Sequence, residues 1–151
     1  MTSSKVLFVG YCPSHAGSPE RPLDGPGTGH RLARLCGMSH DEYLEKFDRV
    51  NLHYETPLRR DRLTREQGEV SADRIMRSNK GRRIILLGRE VLKAFNLDWM
   101  PVAQWHGSHT ENSEVLDDTR IAFIPHPSGL NRWYNSAENT KLVERFLRSL
   151  D

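Results

Sequence analysis

Cysteine and long apolar runs are scarce in this chain of 151 residues, and each shortage narrows what the protein can be. Cys12 and Cys36 lack the spacing of a zinc site, and two cysteines cannot supply a four-cysteine iron–sulfur cluster. We therefore expect reduced thiols, no metal and no cofactor. No apolar run approaches the roughly 20 residues of a membrane span, and the start of the chain does not have a signal-peptide pattern. These features predict a cytoplasmic protein without a membrane partner.

Lysine is also scarce: arginine supplies most of the 22 lysine and arginine residues. The formal net charge is only +2, so the total charge says little. The guanidinium group forms forked hydrogen bonds to phosphate, which makes the arginine excess compatible with nucleic-acid binding. A solvated basic surface explains the composition equally well.

Short apolar runs alternate with segments that have helix-start and helix-stop signals. Ser39 and Glu42 have capping-box spacing, as do Thr64 and Gln67, and Gly37 is placed to end a helix. The predicted strands are 5–10, 49–53 (a weaker candidate), 83–88 and 120–124, and the predicted helices are 29–36, 39–47, 64–78, 90–95 and 137–150. Residues 99–119 are predicted to be irregular or edge β structure. The alternation predicts one α/β domain over 1–151, with a three-layer α/β/α architecture and a central parallel sheet of about four strands.

Three loops with unusual chemistry follow predicted strands, at 10–29, 51–62 and 126–132. Ligands of parallel sheets bind beyond the carboxyl ends of the strands, so we expect these loops to meet at one crevice. Pro125 and Pro127 restrict the backbone on both sides of His126 and so orient its ring in advance. A plain turn would not need the histidine or Arg132, which favours a functional site over a strand-to-helix connection.

Taken together, the loops resemble those of the uracil-DNA glycosylase superfamily. The Gly-x-x-Pro motif of that family is similar to 10–14 (GYCPS), and its His/Asn-Pro-Ser-x-Leu motif is similar to 126–132 (HPSGLNR). Segments 22–25 and 28–32 resemble the loop and helix of the small bacterial and archaeal members, and 84–89 resembles the third strand with its helix. The resemblance implies a monofunctional DNA glycosylase that flips out uracil or a modified pyrimidine, cleaves its N-glycosidic bond and leaves an abasic site. We expect DNA as the partner and a monomeric protein.

The resemblance also implies roles for individual residues. His126 would donate a hydrogen bond to the departing base, and Asn51 would read the base edge, alongside Tyr11, Cys12 and Leu23 in the pocket. Leu130 would fill the gap left by the flipped nucleotide. The remaining DNA contacts would come from Ser128, Gly129, Asn131 and Arg132. Each role has a structural alternative: a loop histidine for His126, a strand-end turn residue for Asn51, and a helix anchor for Leu130.

The first motif departs from the family pattern at the positions that commonly hold a water-positioning residue. Tyr11 and Cys12 stand there, and neither is a normal general base near neutral pH. Asp24 is the preferred replacement, with Glu20 and His15 as further candidates, although Asp24 could simply form the turn before Gly25. Leu23 stands where the family usually has a stacking aromatic residue, which suggests a pocket of different shape.

Two other functions remain compatible with the sequence. A glycosylase-fold module could bind or sense a base without cleaving it, as the missing carboxylate in the first motif would suggest. A nucleotide-processing α/β enzyme could use the same loops on a free nucleotide, but a wedge leucine would serve no purpose there. The sequence does not decide between DNA repair and defence against modified phage DNA.

Overall fold

A parallel sheet lies at the centre of the computed structural model, which describes residues 5–11, 27–52, 65–97, 99–107, 118–127 and 131–150. The strands are β1 (Leu7–Gly10), β2 (Asp48–Asn51), β3 (Arg83–Leu87), β4 (His106–Gly107) and β5 (Arg120–Ile124). Their order across the sheet is β2-β1-β3-β5-β4. The first four strands in this order are parallel, and β4 pairs antiparallel with β5.

Both faces of the sheet are buried, because apolar residues occupy successive positions along the central strands. Side chains alternate between the two faces of a strand, so Phe8, Ile85 and Ile124 pack on one face and Val9, Leu86 and Phe123 pack on the other. Burial on both faces explains why these strands are continuous apolar runs rather than alternating patterns. The described residues therefore form three layers with two apolar cores, as the sequence predicts.

In the described part of the chain, five α-helices cover the sheet: α1 (Thr28–Cys36), α2 (His40–Lys46), α3 (Arg65–Ser78), α4 (Arg89–Ala94) and α5 (Ala137–Arg148). Helices α1, α2 and α5 contribute to the core that contains Phe8, and α3 and α4 contribute to the opposite core. A short 3₁₀ helix (Arg132–Asn135) precedes α5. No described helix is long and apolar enough to cross a membrane.

The helix signals read from the sequence are confirmed where the structure describes them. Ser39 Oγ accepts from the Glu42 amide at 3.2 Å, and Glu42 Oε1 accepts from the Ser39 amide at 3.3 Å, which completes the capping box. Gly37 ends α1 in the left-handed conformation, with φ of 71°. The proposed Thr64 cap lies outside the described residues.

Several predicted boundaries were wrong by one or two residues. Helix α2 ends at Lys46, before the predicted Phe47, because Phe47 is already extended and leads into a strand that starts at Asp48. Helix α5 ends at Arg148, short of Leu150, with Ser149 as its C-cap. The sheet has a fifth strand beyond the predicted four, since part of 99–119 forms the short antiparallel edge strand β4.

Candidate functional site

The register of the sheet brings the ends of its parallel strands to one level. Gly10 of β1 pairs with Asn51 of β2, and Leu87 of β3 pairs with Ile124 of β5. Asn51 and His126 therefore lie at the same carboxyl edge, separated by three strand spacings or roughly 14 Å between backbones. Gly10, Asn51 and His126, where the three predicted loops start, therefore lie on the same edge, as the topology of a parallel sheet requires.

His126 is held against Gly88, the residue that follows β3. A Cβ atom placed on Gly88 would lie 3.1 Å from the Cβ of His126, and the Gly88 amide donates to the Ile124 carbonyl at 3.0 Å. Gly88 also has a φ of 92°, which side chains rarely adopt. Gly88 is the last residue of the strand predicted over 83–88, but its contact with His126 is visible only in the folded chain.

Both peptide carbonyls around the His126 backbone are bound by side chains from the following segment. The Tyr134 hydroxyl donates to the Pro125 carbonyl at 2.5 Å, and Asn131 Nδ2 donates to the His126 carbonyl at 2.9 Å. Asn131 Oδ1 also accepts from the Trp133 amide at 3.0 Å. We call Asn131 and Tyr134 the loop clamp. Sequence reasoning missed Tyr134, because nothing in the local pattern indicates which distant carbonyl a tyrosine will bind.

The loop clamp is itself tied to α5. Asn139 Nδ2 donates to the Trp133 carbonyl at 3.0 Å, and Thr140 Oγ1 donates to the Tyr134 carbonyl at 2.8 Å. The 3₁₀ helix therefore connects the His126 segment to a helix whose Val143 and Leu147 are buried in the core. This arrangement ties the backbone that carries the His126 imidazole to a helix packed in the core.

Burial lowers the pKa of His126 below its ordinary value, because the charged imidazolium is less well solvated there. The ring is therefore neutral near pH 7. A neutral imidazole has one N–H donor and one nitrogen acceptor, and either can face a ligand. Tyr134, whose pKa is raised by burial, stays protonated as the hydroxyl donor to Pro125.

Asn51 is the second predicted site residue with a distinctive environment. The residue is 6% exposed, and its Oδ1 is buried without a hydrogen-bond partner among the described residues. An unpaired buried acceptor costs about 1–3 kcal/mol, so this oxygen has unused capacity to accept from a ligand. Tyr11, next to Gly10, is partly buried against the core on the α3–α4 side.

A cleft of about 600 Å³ opens beside His126 on the α4 side of the sheet. Leu92, Met100 and Phe123 form its buried floor, while Trp99 and Trp133 form walls. The size and mixed lining are typical of small-molecule sites. Neither Asn51 nor Tyr11 is among the described residues that line it, so the cleft and the Asn51 oxygen are two separate parts of the carboxyl edge.

The other predicted site residues divide into two groups. Arg132 is exposed at the start of the 3₁₀ helix, and Asn131 is partly buried and bound to the His126 carbonyl. A DNA contact by either residue stays a prediction. Cys12, Leu23, Asp24, Ser128, Gly129 and Leu130 lie outside the described residues, as do Glu20 and His15.

Two observations limit the chemistry available to the described residues. Cys36 is buried, and burial raises the pKa of its thiol to about 12, so it is protonated and unsuited to nucleophilic chemistry. No cluster of three potential metal ligands occurs within the described ranges.

Comparison with known proteins found no matching protein family and no matching curated protein.

Proposed function

We propose that the protein is a monofunctional DNA glycosylase of the uracil-DNA glycosylase type, acting on uracil or a modified pyrimidine. The observation that carries this proposal is the fixed position of His126 at the carboxyl edge, with both adjacent carbonyls bound by the loop clamp. The motif resemblance of 10–14 and 126–132 supplies the reaction class. The geometry supports it by giving a preoriented neutral donor on the same edge as the buried Asn51 oxygen.

In this mechanism the bond between the sugar and the pyrimidine nitrogen breaks, and its electron pair leaves with the base. The His126 N–H donates to a base oxygen and stabilises the negative charge that develops there. Asn51 Oδ1 accepts a hydrogen bond from a base N–H, which satisfies its unpaired acceptor. Water then adds to the cationic sugar carbon and releases a proton to solvent, while the departed base anion takes up a proton, so the products are a neutral base and a sugar hydroxyl. Asp24 is the proposed group that orients the water.

The test uses duplexes that carry uracil, hydroxymethylated or glucosylated pyrimidines, with alkali cleavage to reveal abasic sites. His126→Ala should lower single-turnover excision by about 10²-fold or more, the scale of losing one oxyanion-type donor, while DNA affinity changes little. His30→Ala is the matched control, since His30 is exposed on α1 and is not among the described residues of the cleft. Excision at the parental rate by His126→Ala would remove His126 from the mechanism.

A second function, binding an extrahelical base without cleaving it, is favoured by one specific observation. No aspartate or glutamate is among the described residues that line the cleft beside His126. If the unaltered protein excises none of the bases but binds one modified duplex more tightly than the unmodified one, the binding module is the correct assignment. The same set of duplexes therefore distinguishes the two functions.

A further inference from the structure

Trp99 is the most exposed large apolar side chain in the described part of the molecule, with 76% of its surface accessible. It forms the outer wall of the cleft beside His126. Core packing does not explain an indole with this exposure, whereas a flat apolar surface open to solvent is what an unpaired nucleobase stacks on.

Two cations stand on the rim of the same cleft. Arg89 and Lys93 occupy positions i and i+4 of α4, so their side chains project from the same face of the helix. Both are exposed, and neither has a carboxylate partner among the residues that the structure describes. Cations placed this way are free to bind phosphate groups.

The interior of the cleft continues from this rim to His126. Trp133 lines the side that adjoins the loop clamp, and Leu92 and Leu97 line the α4 side. The volume of about 600 Å³ exceeds what one pyrimidine ring fills. An aromatic wall, paired cations and surplus volume occur together on one surface.

We propose that this cleft binds a single-stranded stretch of nucleic acid next to the nucleotide that reaches His126. An unpaired base stacks on Trp99, and Arg89 and Lys93 bind the phosphates on either side of it. A base within a duplex has no free face to offer Trp99, so the proposed ligand is single-stranded or locally unpaired. The identification of DNA as the ligand rests on the proposed function, but binding itself requires no excision.

The experiment measures the affinity of a fluorescent oligothymidylate of about ten nucleotides, which contains no excisable base, over a series of salt concentrations. Trp99→Ala should weaken binding by about 5- to 150-fold, the range for loss of one stacked base, without changing the salt dependence. Arg89→Ala and Lys93→Ala should each reduce the slope of log K against log salt by about 0.7, since each removes one phosphate contact to a single strand. Trp99→Phe should retain most of the affinity.

Lys80→Ala is the control for charge, because Lys80 is exposed in the turn before β3, at the opposite edge of the sheet. It should leave both affinity and slope unchanged. Parental affinity in Trp99→Ala, or an equal slope change in Lys80→Ala, would overturn the proposal. An equal loss of affinity of Trp99→Ala for the matching duplex would also overturn it. Competition by thymidine monophosphate as strong as competition by the oligomer would do the same. Failure of excision in the earlier assay leaves this binding result intact, so the two proposals fail separately.

Discussion

Gly88 is placed where both the backbone and a neighbouring side chain disfavour a Cβ atom. Its φ is 92°, and an added Cβ would meet His126 at 3.1 Å. Gly88→Ala should therefore lower the free energy of unfolding by about 1–3 kcal/mol and also displace His126, with a loss of excision activity. Gly81→Ala is a matched control, because Gly81 has a φ of 80° but open space around it. Urea unfolding and excision assays should show that Gly81→Ala affects stability alone; normal excision by Gly88→Ala would contradict this account.

The lowered pKa of His126 predicts a pH dependence of stability. Because the folded-state pKa lies below the ordinary value of 6.5, the unfolded chain binds more protons as the pH falls through that value. The contribution of neutral, buried His126 to the free energy of unfolding is fully present above pH 6.5. It is lost as the pH falls through the folded-state pKa. Urea unfolding from about pH 8 to about pH 5 should show a smaller loss for His126→Gln than for the parent. Parallel curves would mean that His126 is solvated like an unfolded histidine.

At the scale of an element, the 3₁₀ helix and the loop clamp connect α5 to the backbone around His126, so the position of that backbone depends on α5. Tyr134→Phe or Asn131→Ala should cost about 1 kcal/mol of stability for each hydrogen bond removed. Either should reduce excision by up to about 10²-fold, because small displacements of a catalytic group are costly. Thr140→Val removes one bond to the Tyr134 carbonyl but leaves the carbonyls beside His126 bound, so it is the control. Equal rate losses in all three variants would indicate a general structural effect.

At the scale of the whole molecule, one arginine joins the beginnings of three parallel strands at the amino edge. Arg82 donates to Asp48 Oδ2 at 2.6 Å and to the Lys5 carbonyl at 2.8 Å, and its own position immediately precedes β3. Arg82→Gln should lower the free energy of unfolding by about 2 kcal/mol, without altering the rate of a site at the opposite edge. Arg77→Gln, which breaks an exposed pair with Asp73, should cost about 0.5 kcal/mol or less. A rate loss in folded Arg82→Gln would show that the two edges are coupled.

The sequence by itself determined the elements whose signals are local. The apolar runs became β1, β3 and β5, and the signals at Ser39 and Gly37 became a helix cap and a helix end. Such signals depend on residues within about four positions of each other, so they can be read along the chain. The position of His126 after a strand, between two prolines, was predictable for the same reason.

Only the tertiary structure decided which distant groups meet. The strand order, the contact of Gly88 with His126, the bond from Tyr134 to Pro125 and the cleft with Trp99 all join separate segments of the chain. The inward bonds of Asn131, predicted from sequence to contact DNA, depend on how the loop closes. Polar side chains have several possible partners, and the folded chain selects among them by satisfying buried donors and acceptors together. Among the described residues, that selection left the Asn51 oxygen without a hydrogen-bond partner, which no local pattern could reveal.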